Sequence, residues 1–242
     1  HVPSAVFSDY AADGWRRRVG DVPGLLPTEA HLSALLARLG ITPEKHVILI
    51  PTGSGANDFA ASARACWTLK LIGHQAVSIL DGGLKGWVAA GLPVETGFHE
   101  PVAVAPYPVM TGSALRSEAG ATLAAMEGGT HVLVDARSPG YFAGREKASE
   151  AKAAGHIPGA ISADYVQFFD PATGALKPVA ELERLSAMVP AGRPVISYCN
   201  TGHTAALNWF VLSEVLRRPD VTLYDGSMTD WTQDERRPVA TV

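Results

Sequence analysis

Apolar positions along the chain alternate between two periods. Leu32, Leu35, Leu36 and Leu39 fall at i, i+3, i+4 and i+7, the stripe of an amphipathic helix over 28–39. The run 47–50 is solidly apolar and strand-sized, 59–71 returns to the helical period, and 76–80 reads as a second strand. The same succession comes back further along: a strand at 131–137, a helix at 179–188, a strand at 195–198, a helix at 204–216 and a strand at 221–224. Solidly apolar strands separated by helices predict a mostly parallel sheet covered by helices on both faces. The expected class is α/β, with 47–50 and 131–137 expected as buried strands.

The recurrence extends to particular residues. His1, Pro3, Ala5, Asp9 and Tyr10 return in register as His156, Pro158, Ala160, Asp164 and Tyr165. The run 47–51 is echoed by 195–199, and Leu80, Asp81, Gly82 and Trp87 are echoed by Tyr224, Asp225, Gly226 and Trp231. Three collinear echoes predict a duplicated unit. Copy two carries the apolar run 131–137 ahead of its His156, and copy one has no such run ahead of His1, so the first copy is expected to lack its opening strand. Pro101, Pro106 and Pro108 disfavour helix and suit an extended connection. The expected division is 1–100, a linker at 101–114, and 115–242.

Composition narrows the chemistry. The 242 residues are 47% apolar and 18% charged, enough to build a core and too apolar for disorder. A net charge of −4 offers no clustered positive charge for nucleic acid or an anionic membrane surface, so neither is expected as a partner. No apolar run approaches the roughly 20 residues of a membrane span. Cys66 and Cys199 cannot make a disulfide framework, and the eight histidines lack metal-ligand spacing. No metal site is expected. The compartment, cytoplasm or periplasm, is left open.

The chemistry concentrates where copy two's strand 195–198 ends. Cys199, Asn200, Thr201, Gly202, His203 and Thr204 form a loop running into the next helix. In open α/β sheets this is where ligands bind. Loop amides and a helix start aimed at the sulfur favour thiolate, the attacking form. Gly202 permits a tight turn around a central atom. Cys66, within an apolar helix, reads as core. At the position of Cys199, copy one has Pro51, which can neither attack nor donate an N–H.

These residues resemble the tandem-domain sulfurtransferases of the rhodanese family. The resemblance rests on Asp135, Ala136 and Arg137, on Gly155 through Ala160, on the loop Cys199 to Ala205, and on Tyr224, Asp225, Gly226 and Trp231. In copy one it rests on Arg64 to Trp67, on Gly73 and His74, and on Leu80 through Gly83 with Trp87. It implies two tandem rhodanese-like domains, the first inactive. It also implies a Cys199 persulfide, loaded by a small sulfur donor and unloaded by a thiol or cyanide acceptor, a thiol protein included, with no organic cofactor needed.

Within that resemblance several positions depart from the pattern. Asn200 and Thr201 stand where thiosulfate enzymes of the mammalian type carry Arg and Lys, and where mercaptopyruvate enzymes usually carry Gly and Ser. Tyr141 stands where the family's further anion-binding arginine would fall, four residues beyond Arg137. His203 is the substitute cation or proton carrier, or it fills the loop's outer position. Asp135 and Arg137 are expected as an ion pair bracing the loop, with Arg137 reaching the donor as the alternative, and His156 as a structural hydrogen-bonding group. Arg145, Lys147 and Lys152 are expected on a solvated face, and Trp87, Trp209 and Trp231 in core or interface positions. Thiosulfate is the first expected donor and 3-mercaptopyruvate the second. A persulfide carrier loaded by a protein partner is the alternative of another class. A cysteine phosphatase would need an arginine six residues after the cysteine, where Ala205 stands.

Overall fold

A computed structural model describes residues 1–110 and 114–242. In chain order the elements are β1 (Arg17–Val19), β2 (Val22–Leu25), α1 (Glu29–Arg38), β3 (Val47–Leu49), α2 (Ala56–Leu71), β4 (Val77–Ile79) and α3 (Gly83–Ala89). These are followed by β5 (Arg116–Ser117), α4 (Ala119–Glu127), β6 (Val132–Asp135), α5 (Pro139–Phe142), β7 (Ile161–Ser162), and the short hairpin strands β8 (Phe169–Asp170) and β9 (Ala175–Leu176). The chain ends with α6 (Val179–Ser186), β10 (Val195–Tyr198), α7 (Ala205–Trp209), β11 (Val221–Tyr224) and α8 (Ser227–Trp231). The chain divides into two compact units. One holds 1–17, 26–110 and 170–176; the other holds 18–25, 114–169 and 177–242.

The second unit is built on a five-stranded parallel sheet in the order β5–β11–β10–β6–β7. Side chains alternate across it, as the two-residue period of a strand requires. Leu133, Ile196, Tyr198 and Tyr224 form one buried cluster with Ala119 and Ala125 of α4 and with Met228 and Trp231 of α8. On β10, the intervening Ser197 turns to the other face, where its hydroxyl donates to the Ala205 carbonyl at the start of α7. All four residues of β6 and of β10 are buried, as expected of strands covered on both faces, and the two polar ones, Asp135 and Ser197, have hydrogen-bond partners. The helix expected over 204–216 changes character part-way. After α7 the chain widens into a π-helical stretch, Phe210–Val215, closed by Leu216 N–H donating to Val211 O.

The first unit has a smaller sheet, β3 paired in parallel with β4. Its core gathers Leu32, Leu35, Leu36 and Leu39 from the α1 segment with Ala65, Leu69 and Ile72 from the α2 segment, together with Trp15 and Tyr107. Thr28 caps α1, its hydroxyl accepting from His31 N–H at 3.2 Å. The expectation of a buried strand at 47–50 is corrected here. Ile48 is 56% exposed, because among the described residues β3 pairs with β4 alone. The expected linker 101–114 includes 111–113, which lie outside the described residues. Its earlier part carries no helix or strand, and its backbone amides donate to the first unit: Val104 to Ala37 O, Tyr107 to Ser33 O and Met110 to Ile72 O.

Candidate active site

The carboxyl end of β10 leads directly into the loop 199–204. Cys199 is 2% exposed and free of any disulfide. The loop is fastened to the start of α8 by two backbone bonds, Met228 N–H to Cys199 O (3.1 Å) and Thr229 N–H to Asn200 O (3.0 Å). The residue just before Met228 completes the fastening. The Ser227 hydroxyl accepts from both Cys199 N–H and Gly202 N–H at 3.0 Å and donates to Tyr224 O at 2.7 Å. Gly202 sits at φ +67°, the left-handed conformation its turn requires, and its amide is directed to Ser227. The His203 and Thr204 carbonyls accept the first amides of the following helix, from Ala206 and Leu207. Asn200, Thr201, His203 and Thr204 are half-buried.

A second set of contacts holds the loop from the side of β6. Arg137 grips Asp135 through Nε (2.9 and 3.1 Å) and Nη2 (2.6 Å), and its backbone N–H also donates to the same carboxylate. Nη2 further donates to Gly155 O, and Nη1 reaches Asn200 Oδ1 at 3.3 Å. The pair is buried, with side-chain exposures of 4% and 0%. Burial pulls the guanidinium down, but the Asp135 hydrogen bonds and charge more than offset this. With smaller contributions from Tyr198 and Cys199, Arg137 ends above the usual arginine value. It stays charged beside the loop. Burial first, and the Asp135 charge second, push the Tyr198 phenol well above the usual tyrosine range; its oxygen accepts from Ile157 N–H. Tyr141, on α5, lies with its ring 5.8 Å from the Arg137 guanidinium.

The remaining residues singled out by sequence are placed around this centre. The His156 backbone pairs with Ala240, its Nδ1 lies 2.8 Å from Phe142 O, and its ring stacks on Phe142 at 3.8 Å. Its counterpart His1 keeps Nδ1 against Val2 O. Arg145, Lys147 and Lys152 are exposed. Trp209 and Trp231 are fully buried with their indole N–H groups on Val221 O and Pro238 O, whereas Trp87 is half-buried. Among the described residues no group of three or more His, Cys, Asp or Glu could hold a metal ion.

Sequence reasoning missed Ser227. It is a non-glycine residue at φ +51°, and its role depends on a contact 28 residues away. A signal was present in the echo 80–83 against 224–227, where copy one has Gly83 at the position of Ser227. Gly83 adopts φ +54°, Leu84 N–H donates to Pro51 O and Lys85 N–H to Thr52 O, the same backbone arrangement without hydroxyl or thiol. Ser227→Gly therefore keeps a suitable backbone and removes only the clasp. It is expected to lower stability by about 1–3 kcal/mol, the cost of leaving a buried donor without its acceptor. Chemical denaturation of this variant beside the parent protein checks it; an unchanged midpoint would rule out a clasp.

Comparison with known proteins bears on the whole chain. The rhodanese-like domain family matches residues 118–234. A probable 3-mercaptopyruvate sulfurtransferase of Pseudomonas aeruginosa is 37% identical over 100% of this chain and 84% of its own length. The chain belongs to the rhodanese family of sulfurtransferases. A thiosulfate sulfurtransferase from the same bacterium is 33% identical over 99% of this rhodanese-family chain and 85% of its own length. Among solved structures, EanB in complex with ergothioneine superposes with a TM-score of 0.83 at 22% identity. That match covers all of this chain and 60% of EanB, and it speaks for the fold.

Proposed function

We propose that Cys199 is the nucleophile of this sulfurtransferase, taking the outer sulfur of thiosulfate and passing it to a thiol or to cyanide. The reading is carried by the position of Cys199, which opens a clasped loop at the carboxyl end of a central parallel strand. In the first step the thiolate forms a bond to the outer sulfur. The donor's S–S bond breaks, and its electron pair leaves with sulfite. In the second step the acceptor attacks the terminal persulfide sulfur, and the electron pair returns to Cys199. Splitting one transfer into two displacements is covalent catalysis by an activated thiol. Asn200, Thr201, Gly202, His203 and Thr204 form the wall of this site, with Asp135, Arg137 and Tyr141 supporting it. Thiosulfate takes first place on the likeness to thiosulfate sulfurtransferases. 3-Mercaptopyruvate is the second reading, favoured by the relative at 37% identity.

The chain is read as two tandem rhodanese-like domains, 1–100 and 115–242, joined by 101–114. The matched backbone at Gly83 and Ser227 supports the duplication. Pro51 in the place of Cys199 makes the first copy non-catalytic.

Intact-mass measurement after brief exposure to thiosulfate, and separately to 3-mercaptopyruvate, tests the assignment. The protein is expected to gain one sulfur atom that cyanide removes, and Cys199→Ser is expected to gain none. The donor that loads faster is the preferred one. If folded protein loads from neither, the small-donor reading fails and the carrier reading replaces it.

A further inference from the structure

The loop 199–204 has a neighbour that the reaction so far leaves unused. Strand β7 runs beside β6, and β6 beside β10, all in parallel, so their carboxyl ends lie side by side. Backbone bonds continue this lacing past the strands. Ala136 N–H donates to Tyr198 O, Ala163 N–H to Asp135 O, and Tyr165 N–H to Ala136 O. Asn208, on α7, donates from its side chain to Ala163 O at 2.7 Å, tying the helix that follows the loop to the same segment. Tyr165 thus leaves the sheet beside the residue adjoining the Cys199 strand end. It opens the short 3-10 turn Tyr165–Phe168, capped by Asp164 accepting from Val166 N–H.

The Tyr165 side chain is half-buried, and among the described residues its hydroxyl has no hydrogen-bond partner. Burial first, then the charges of Asp164 and Cys199, raise its phenol above the ordinary tyrosine value. The phenol therefore stays protonated, a donor and not an anion, through neutral and mildly alkaline pH. Its counterpart in copy one, Tyr10, has the Arg16 guanidinium 5.0 Å from its ring.

We propose that Tyr165 is a catalytic residue whose hydroxyl donates a hydrogen bond to the sulfur arriving on Cys199. This rests on the assignment of Cys199 as the persulfide carrier. When the donor's S–S bond breaks, the transferred sulfur keeps one negative charge as the end of the persulfide. A phenol O–H pointed at that atom gains strength as the charge settles there, so it stabilises the loading step. Tyr165 keeps its proton throughout. In unloading, the developing charge returns to Cys199 and the terminal sulfur departs with the acceptor, so the same bond gives no advantage there.

The test separates the two half-reactions in the full chain. Loading by thiosulfate and unloading by cyanide are followed by rapid mixing and intact mass in the parent protein and in Tyr165→Phe. Loading is expected to slow about tenfold, in keeping with the loss of one hydrogen bond to a charged atom. Unloading is expected to hold or quicken, with thermal unfolding unchanged. Equal loading rates in the two proteins would overturn the proposal. So would equal slowing of both steps, which is the mark of a structural role. Failure of the parent protein to load at all would instead strike the Cys199 assignment, and this proposal with it.

Discussion

Replacing Arg137 by leucine is expected to destabilise the protein by about 3–5 kcal/mol, the range for removing one partner of a buried ion pair. The Asp135 carboxylate would keep its backbone donor and lose the side chain that neutralises it, with 0% of its own side chain exposed to water. Three further contacts would go with the guanidinium: Gly155 O, Asn200 Oδ1 and the ring of Tyr141. Because a folded domain is stable by only about 5–15 kcal/mol, a loss of this size is a large share of the whole. Sulfur transfer should fall with it, since Asn200 is part of the loop that carries Cys199. The paired replacement Asp135→Leu with Arg137→Leu removes both charges and is expected to be less damaging than the single change. Urea denaturation of the two variants decides the point. A single variant within about 1 kcal/mol of the parent would show that the pair contributes little, as exposed pairs do.

That ion pair illustrates what the sequence could reveal. Asp135 and Arg137 sit at the end of an apolar run, and two polar residues there point to a strand end with work to do. The strands 195–198 and 221–224 were legible to the residue, because each is a short, mostly buried apolar run broken by a single hydroxyl residue, Ser197 or Thr222, and flanked by polar residues or Pro. The run 47–50 looks the same and is not buried, since its surroundings depend on how many strands stand beside it, which no local pattern records. The placement of Cys199, after a strand end and before a helix, was legible. Ser227 was not, because its hydroxyl matters only once a left-handed backbone at φ +51° brings it under two amides distant in sequence. Tyr165 was visible only as one member of a repeated pair, and pairing by itself argues for a structural task. The departures from family pattern at Asn200, Thr201 and Tyr141 were visible as residues, but what replaces the missing cations is a question of geometry. Arg137, which spends its donors on Asp135, Gly155 and Asn200, shows a guanidinium turned toward the fold.

A methyl group at position 24 is expected to slow persulfide loading by roughly 10- to 100-fold, the scale on which an ångström of misplacement acts. Gly24 lies in β2, at φ +84°, where a Cβ would stand 2.5 Å from Thr201 O and 2.9 Å from Thr201 Cβ. Atoms cannot share that space, so either β2 or the loop must shift. Thr201 is two residues from Cys199, and the loop is held by hydrogen bonds of about 3 Å that tolerate little displacement. Backbone strain alone would also weaken the protein, by about 1–2 kcal/mol for a side chain forced into a left-handed conformation. The turn between β1 and β2 supplies the control for that effect. Gly20 has φ +56°, and a Cβ there would meet no atom within 4 Å. Gly20→Ala should therefore lose comparable stability and load at the parent rate, whereas Gly24→Ala should lose the rate as well. Loading from thiosulfate, measured beside thermal unfolding for both variants, separates strain from displacement. Identical loading in the two would mean that β2 yields without moving Thr201, and that the close approach has no part in shaping the site.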